Sequence, residues 1–135
     1  DYALSLEGSL KLKEITYIHS EAYAAGELKH GTISLIENKV PVVTVATQAD
    51  ILAKTISNME EVKARGALII ALCRKGTELS PDTVDMRFDI DAELDDMLIP
   101  LPTVCALQLI AYYTSVLRGI DPDKPRNLAK SVTTE

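Results

Sequence analysis

Cysteine and histidine are scarce in this sequence, two of each in 135 residues, and positive charge is in deficit, with 14 Lys and Arg against 20 Asp and Glu. The formal charge of −6 argues against a nucleic-acid partner, because a phosphate backbone is held by a basic footprint. No apolar run is long enough to span a bilayer and no signal-peptide pattern opens the chain, so a membrane is not expected either. Cys73 and Cys105 stand in apolar surroundings without CxxC spacing. They read as small buried hydrophobes in a reducing, cytoplasmic compartment.

Motifs for cofactors and metals are also missing. There is no GxGxxG or GxxxxGK[ST] phosphate fingerprint and no HExxH pair. His19 and His30 are eleven residues apart, which is not metal-pair spacing. The expectation is that no cofactor and no metal is used. The stretch DIDAELDD, 89–96, holds five acids and no base. It lacks the glycine of a calcium loop and reads as a solvated connection. No internal repeat or low-complexity tract occurs. The chain opens on Asp1, not on a methionine, which suggests trimming upstream.

What is present, 47% hydrophobic and 25% charged residues, is the balance of a globular domain, and the length is one domain's worth. The first helix is predicted over residues 3–19 and contains GSLKLKEI. Glu7, Lys11 and Glu14 are spaced i, i+4, i+7 and form a narrow charged ridge. Leu6, Leu10 and Tyr17 flank it on one edge, and Leu4, Leu12 and Ile15 on the other. Ser5, Ser9, Lys13 and Thr16 make an opposite polar face that reads as solvent-exposed. By pattern alone the ridge is an intrahelical pair network worth roughly 0.2–0.5 kcal/mol per pair. The alternative is that it lines a cleft, since buried charge must be paired.

Gly26 and Gly31 bracket GELKHG, a break before a short turn reaching Ile36. PVVTVAT, 41–47, and ALIIALC, 67–73, read as continuous buried strands, with MRFDI, 86–90, as a shorter third. Between the first two, residues 49–65 are helical, with Ile51, Leu52, Ile56, Met59 and Val62 on one side and Gly66 as the stop. A long apolar helix runs from Leu101 to Arg118, with Pro102 in its first turn. This order implies an α/β fold, a parallel sheet flanked by helices in three layers, α/β/α. Three strands are thin for it, and a further strand is expected upstream of Asp1.

The last stretch, DPDKPRNLAKSVTTE, 121–135, has no period and would ordinarily fray. Leu128, Ala129 and Val132 nevertheless surround Lys130 with groups able to dock. Docking would desolvate the amine, lower its pKa and make it a nucleophile. His19 follows Ile18 on the buried-leaning side of the first helix and reads as structural. His30, beside Lys29 in a glycine-flanked loop, could reach a ligand. A helix carboxylate with its lysine, a loop histidine and a terminal lysine together supply proton transfer, ring opening and carbonyl attack. That set suits aldose–ketose chemistry.

KLKEITYIHSEAYAAGELKHG, 11–31, and DKPRNLAKSVTTE, 123–135, closely resemble the C-terminal sugar-isomerase (SIS) domain of the glutamine–fructose-6-phosphate aminotransferases. The resemblance runs through essentially the whole chain. It implies a SIS subdomain over residues 1–118, truncated at its start, and a catalytic tail over 119–135. It implies that Lys130 forms a Schiff base with open-chain fructose 6-phosphate and that Glu14 moves a proton between C1 and C2. It further implies that His30 opens the sugar ring, supplied from the neighbouring subunit of a homodimer. Lys11 would be a supporting lysine and Glu7 a member of the same ridge. Arg126, Asn127 and Ala129 lie in the tail that covers the sugar, and the ridge would line the sugar cleft. The implied partners are the sugar phosphate and, in the same enzyme, a glutaminase domain and a first SIS subdomain. Neither the glutaminase cysteine nor the Ser/Thr-rich phosphate loop of that first subdomain is present here, so the 135 residues alone are expected to be inactive. Two other classes compete, a non-catalytic sugar-phosphate-binding module and a plain dimerisation domain.

Overall fold

The computed structural model describes residues 1–91 and 93–127. Strand β1 (Pro41–Ala46), strand β2 (Leu68–Arg74) and strand β3 (Met86–Ile90) form one sheet in the order β1-β2-β3. Both pairings are parallel, from Pro41 opposite Leu68 to Ala46 opposite Cys73, and from Ile70 opposite Met86 to Arg74 opposite Ile90. Parallel neighbours need a crossover, and helix α2 (Leu52–Lys63), after a short 3-10 turn Ala49–Ile51, supplies the first one.

Alternation along β2 sends its side chains to two different cores. Ile69 and Ala71 meet Met59 and Val62 of α2, joined by Leu28 and Ile33 from two 3-10 turns, Ala25–His30 and Thr32–Leu35, and by Ile36 just after them. Ile70 and Leu72 face the other way. There they meet Val45 and the helices α1 (Tyr2–Thr16) and α3 (Pro100–Leu117), through Leu4, Ala106, Leu107 and Ile110. The layers are therefore α/β/α, as the strand–helix order implied.

Only β2 is buried along most of its length; β1 is covered only toward Val45 and Ala46, and β3 only at Ile90. The expectation of a continuously buried PVVTVAT fails because β1 lies at an edge of the described sheet, where Val43 stays 36% exposed. In α2 the buried positions are Thr55, Asn58, Met59 and Val62, whereas Ile51 lies outside the helix and is exposed. Gly66 follows it at φ 93, and a Cβ there would come within 3.1 Å of the Asn38 Cα. The five acids of the stretch 89–96 are all exposed, in keeping with a solvated connection, although its first two residues lie in a strand. Asp89 belongs to β3 and pairs with Arg87, and Asp96 pairs with Arg74.

The contact between α1 and α3 reverses one sequence expectation. Part of the α1 face that looked solvent-exposed meets its neighbour: Ser9 and Thr16 are buried, with Gly8 beside them, while Lys13 stays exposed. A Cβ at Gly8 would sit 3.1 Å from the Cβ and both methyls of Leu107, so a side chain there would force Leu107 to give way by a few tenths of an ångström. Thr16 donates its hydroxyl to the Leu12 carbonyl at 2.5 Å, which makes its burial tolerable. On α3 the buried residues Thr103, Leu107, Ala111 and Ser115 recur every four positions. Ser115 sits with its hydroxyl 2.9 Å from the Ile15 carbonyl and 3.0 Å from that of Ile120. The other side of α3 leaves Leu101, Leu109, Tyr113 and Leu117 exposed. With 18 residues and a mean hydropathy of 1.3, this helix is long and apolar enough by composition to cross a membrane, contrary to the expectation that no run reaches that length.

The Gly8–Leu107 contact gives a direct prediction. Gly8→Val should lower unfolding free energy by about 1–3 kcal/mol through overpacking, read from the denaturant midpoint of the longer protein. An unchanged midpoint would show that α3 can move away without cost.

Candidate active site

The ridge is real, and it is a pair network. Lys11 Nζ lies 2.8 Å from Glu14 Oε2 and 3.6 Å from Glu7 Oε1. The three side chains are each about two-thirds covered, being 33%, 38% and 29% exposed for Lys11, Glu7 and Glu14. The hydrogen bond to Glu14 raises the Lys11 pKa, outweighing the opposing effect of partial burial. Of the flanks expected to pack, Leu6 and Leu10 remain exposed at 47% and 43%. Leu4 joins the core with α3.

Helix α1 stops three residues earlier than its periodicity suggested. Tyr17 takes φ 59, ψ 20, a left-handed conformation, while its N–H bonds the Lys13 carbonyl. The turn re-aims the chain beyond it. His19, expected on the helix's buried side, is 84% exposed beside Glu21. Tyr17 meets the chain returning from α3: its hydroxyl accepts the Arg126 backbone N–H at 2.7 Å. The Arg126 guanidinium lies 4.2 Å from the centre of the Tyr17 ring, a cation–π contact worth about 0.5–1 kcal/mol at an exposed site.

These elements enclose an open concavity of about 470 Å³ lined by Lys13, Glu14, Tyr17, Ile18, His19, Arg126 and Asn127. The geometry thus brings Glu14 of the ridge to the same hollow as Arg126 and Asn127 of the terminal segment. Glu7 and Lys11 stand behind it on the ridge. His30 is not among the lining residues. It is exposed at the end of the turn Ala25–His30, and that turn packs through Leu28 on the α2 side of the sheet. Ala129 and Lys130 lie outside the described residues.

Of the two cysteines, Cys73 is buried, and burial pushes its thiol pKa up. Cys105, expected to be buried, is exposed, because it falls on the outer side of α3. Among the described residues no group of three or more His, Cys, Asp or Glu could hold a metal ion. Tyr17 is the contributor that sequence reasoning misses. By pattern it is only an apolar flank, and nothing local marks a non-glycine residue for a left-handed turn. The distant Arg126 was the available signal.

Residues 1–118 match the family model described as the SIS domain. The chain belongs to the SIS-domain family. It is 55% identical over 135 residues to the glutamine–fructose-6-phosphate aminotransferase [isomerizing] of Clostridium acetobutylicum, a match that takes in all of this chain and 22% of that protein. To the enzyme of the same name from Methanothermobacter thermautotrophicus it is 53% identical over 134 residues, 99% of this chain and 23% of the relative. Among solved structures, the C-terminal domain of glucosamine-fructose-6-phosphate aminotransferase from Francisella tularensis aligns with a TM-score of 0.79 at 38% identity. That alignment covers 91% of this chain and 34% of the other. This SIS chain therefore spans less than a quarter of the length of the first two relatives.

The pH dependence of the ridge is set by the sign of the lysine shift. A lysine whose folded pKa is raised contributes stability that is fully present below its ordinary value of 10.5 and lost as pH climbs through the raised value. Lys11→Met should flatten the alkaline limb of a stability-against-pH curve and leave its shape near neutrality unaltered. An identical alkaline limb in the variant would dissociate the ridge from stability.

Proposed function

We propose that this chain is the C-terminal part of the isomerase half of a glutamine–fructose-6-phosphate aminotransferase. In that role it converts fructose 6-phosphate and glutamine-derived ammonia into glucosamine 6-phosphate. The observation that carries the reading is the concavity in which Glu14, held by Lys11, faces the segment that leads to Lys130. The Lys130 amine attacks C2 of the open-chain ketose, and loss of water leaves a Schiff base. Ammonia then replaces the lysine at C2 and returns its amine. Glu14 takes a proton from C1 and delivers it to C2, which converts the ketose skeleton to the aldose.

Lys11 holds the Glu14 side chain in place through their 2.8 Å contact, and Glu7 completes the ridge. Arg126, Asn127 and Ala129 belong to the tail that closes over the sugar, so residues 1–118 serve as the SIS subdomain and 119–135 as the catalytic tail. The place of His30 on the opposite layer from the ridge supports ring opening in the site of a neighbouring subunit, and hence a homodimer. The remaining partners are a glutaminase domain and a first SIS subdomain of the same cytoplasmic enzyme. The chain by itself hydrolyses no glutamine and completes no turnover. A second reading, a non-catalytic binding or dimerisation module, draws on the exposed apolar side of α3.

One pair of experiments on the full-length enzyme separates the two. Glu14→Gln should lower isomerisation by about 100-fold or more with assembly intact, and borohydride with fructose 6-phosphate should fix the sugar to Lys130. Normal isomerisation with lost assembly would favour the second reading, and labelling of a different lysine would remove Lys130 from the chemistry.

A further inference from the structure

We propose that Tyr17 is a positioning residue of this site: it latches the chain that leaves α3 onto the end of α1 and thereby sets where the terminal segment meets Glu14. The inference rests on the isomerase reading, but the steps of that reaction make no use of Tyr17. Two contacts of different kinds converge on one residue, the ring beneath the Arg126 guanidinium and the hydroxyl at the Arg126 N–H. They join positions 109 residues apart. A packing accident would not require both ends of the tyrosine.

The backbone is committed to the same geometry. A tyrosine at φ 59 occupies a region that side chains other than those of Gly, Asn and Asp seldom visit. Two bonds hold it there, the Tyr17 N–H to the Lys13 carbonyl and the Ile18 N–H to the Thr16 hydroxyl. The segment from Ile120 to Asn127 is fastened at both ends. Ser115 engages the Ile120 carbonyl at the start, and Tyr17 engages Arg126 near the finish. Pro122 and Pro125 lie between and restrict the backbone further.

The latch bears on the chemistry through chain length. Lys130 is four residues beyond Arg126, a covalent span of at most about 14 Å. Where Arg126 is held therefore decides which surface the Lys130 amine can reach. Glu14 precedes Tyr17 by three residues, on the same wall of the concavity. Tyr17 thus ties the nucleophile's tether to the helix that carries the base, and a helix turn fixes the offset between them.

The test uses the full-length enzyme with Tyr17→Leu, which removes ring and hydroxyl, and Tyr17→Phe, which keeps the ring. Tryptic cleavage after Arg126 and Lys130 should quicken about tenfold in Tyr17→Leu, and borohydride trapping of the sugar and kcat should fall by about the same factor, the size expected for losing both contacts. KM should change far less than kcat, and Tyr17→Phe should recover most of the loss. Wild-type cleavage and trapping rates in a folded Tyr17→Leu enzyme would overturn the proposal. Should that variant fail to fold, Tyr17→Phe decides, with faster cleavage than wild type expected and equal cleavage fatal. A wild-type enzyme that forms no Lys130 adduct would instead sink the isomerase reading, leaving the cleavage comparison to judge the latch.

Discussion

The near-contact of α1 with α3 at Gly8 and Leu107 is the constraint on which the rest of the structure depends. Ser9 and Thr16, which sequence patterning places on a wet face, are buried beside Gly8, whose lack of a side chain lets Leu107 come close. Once that face is committed, helical geometry turns the Glu7–Lys11–Glu14 ridge outward. The exposed Leu6 and Leu10 result from the same rotation. A larger residue at position 8 would have to displace Leu107, so the packing of α1 on α3 underlies where the ridge stands.

The two sides of the sheet then divide the labour. The layer of α1 and α3 carries the ridge, the tyrosine turn and the start of the terminal segment. The layer of α2 carries His30 on a turn whose Leu28 is rooted in a separate core. Within one chain these groups lie in different layers of the fold. The lone base of the ridge is shared between two carboxylates, of which Glu14 has the shorter bond. That asymmetry leaves Glu7 the freer of the pair.

The order and type of elements were readable because they rest on robust signals. β2 is a solid apolar run, Gly66 and the prolines at the start of α3 mark boundaries, and the strand–helix alternation implies parallel pairing. The charged ridge was readable too, since i, i+4, i+7 spacing is local. What escaped was whatever depends on long-range partners. The buried side of α1 is set by Leu107, about a hundred residues away. The stop at Tyr17 has no glycine to announce it, so the predicted helix runs on and places His19 wrongly. Cys105 is assigned to the interior on residue type and Ile51 on helical spacing, but Cys105 falls on the outer side of α3 and Ile51 lies before α2 begins. The roles proposed for Lys130 and His30 rest on resemblance to a family, because no periodicity encodes a Schiff base.

Ser115 carries a consequence of its own. Its hydroxyl has a single hydrogen and stands within bonding distance of two carbonyls, one ending α1 and one where the chain leaves α3. One hydrogen divided between two acceptors gives each a weaker bond than it would receive alone, so the end of α1 and the exit from α3 share one donor. Strengthening the grip on either must loosen it on the other, and the exit of the terminal segment is thereby wired to the last turn of the helix that bears Glu14.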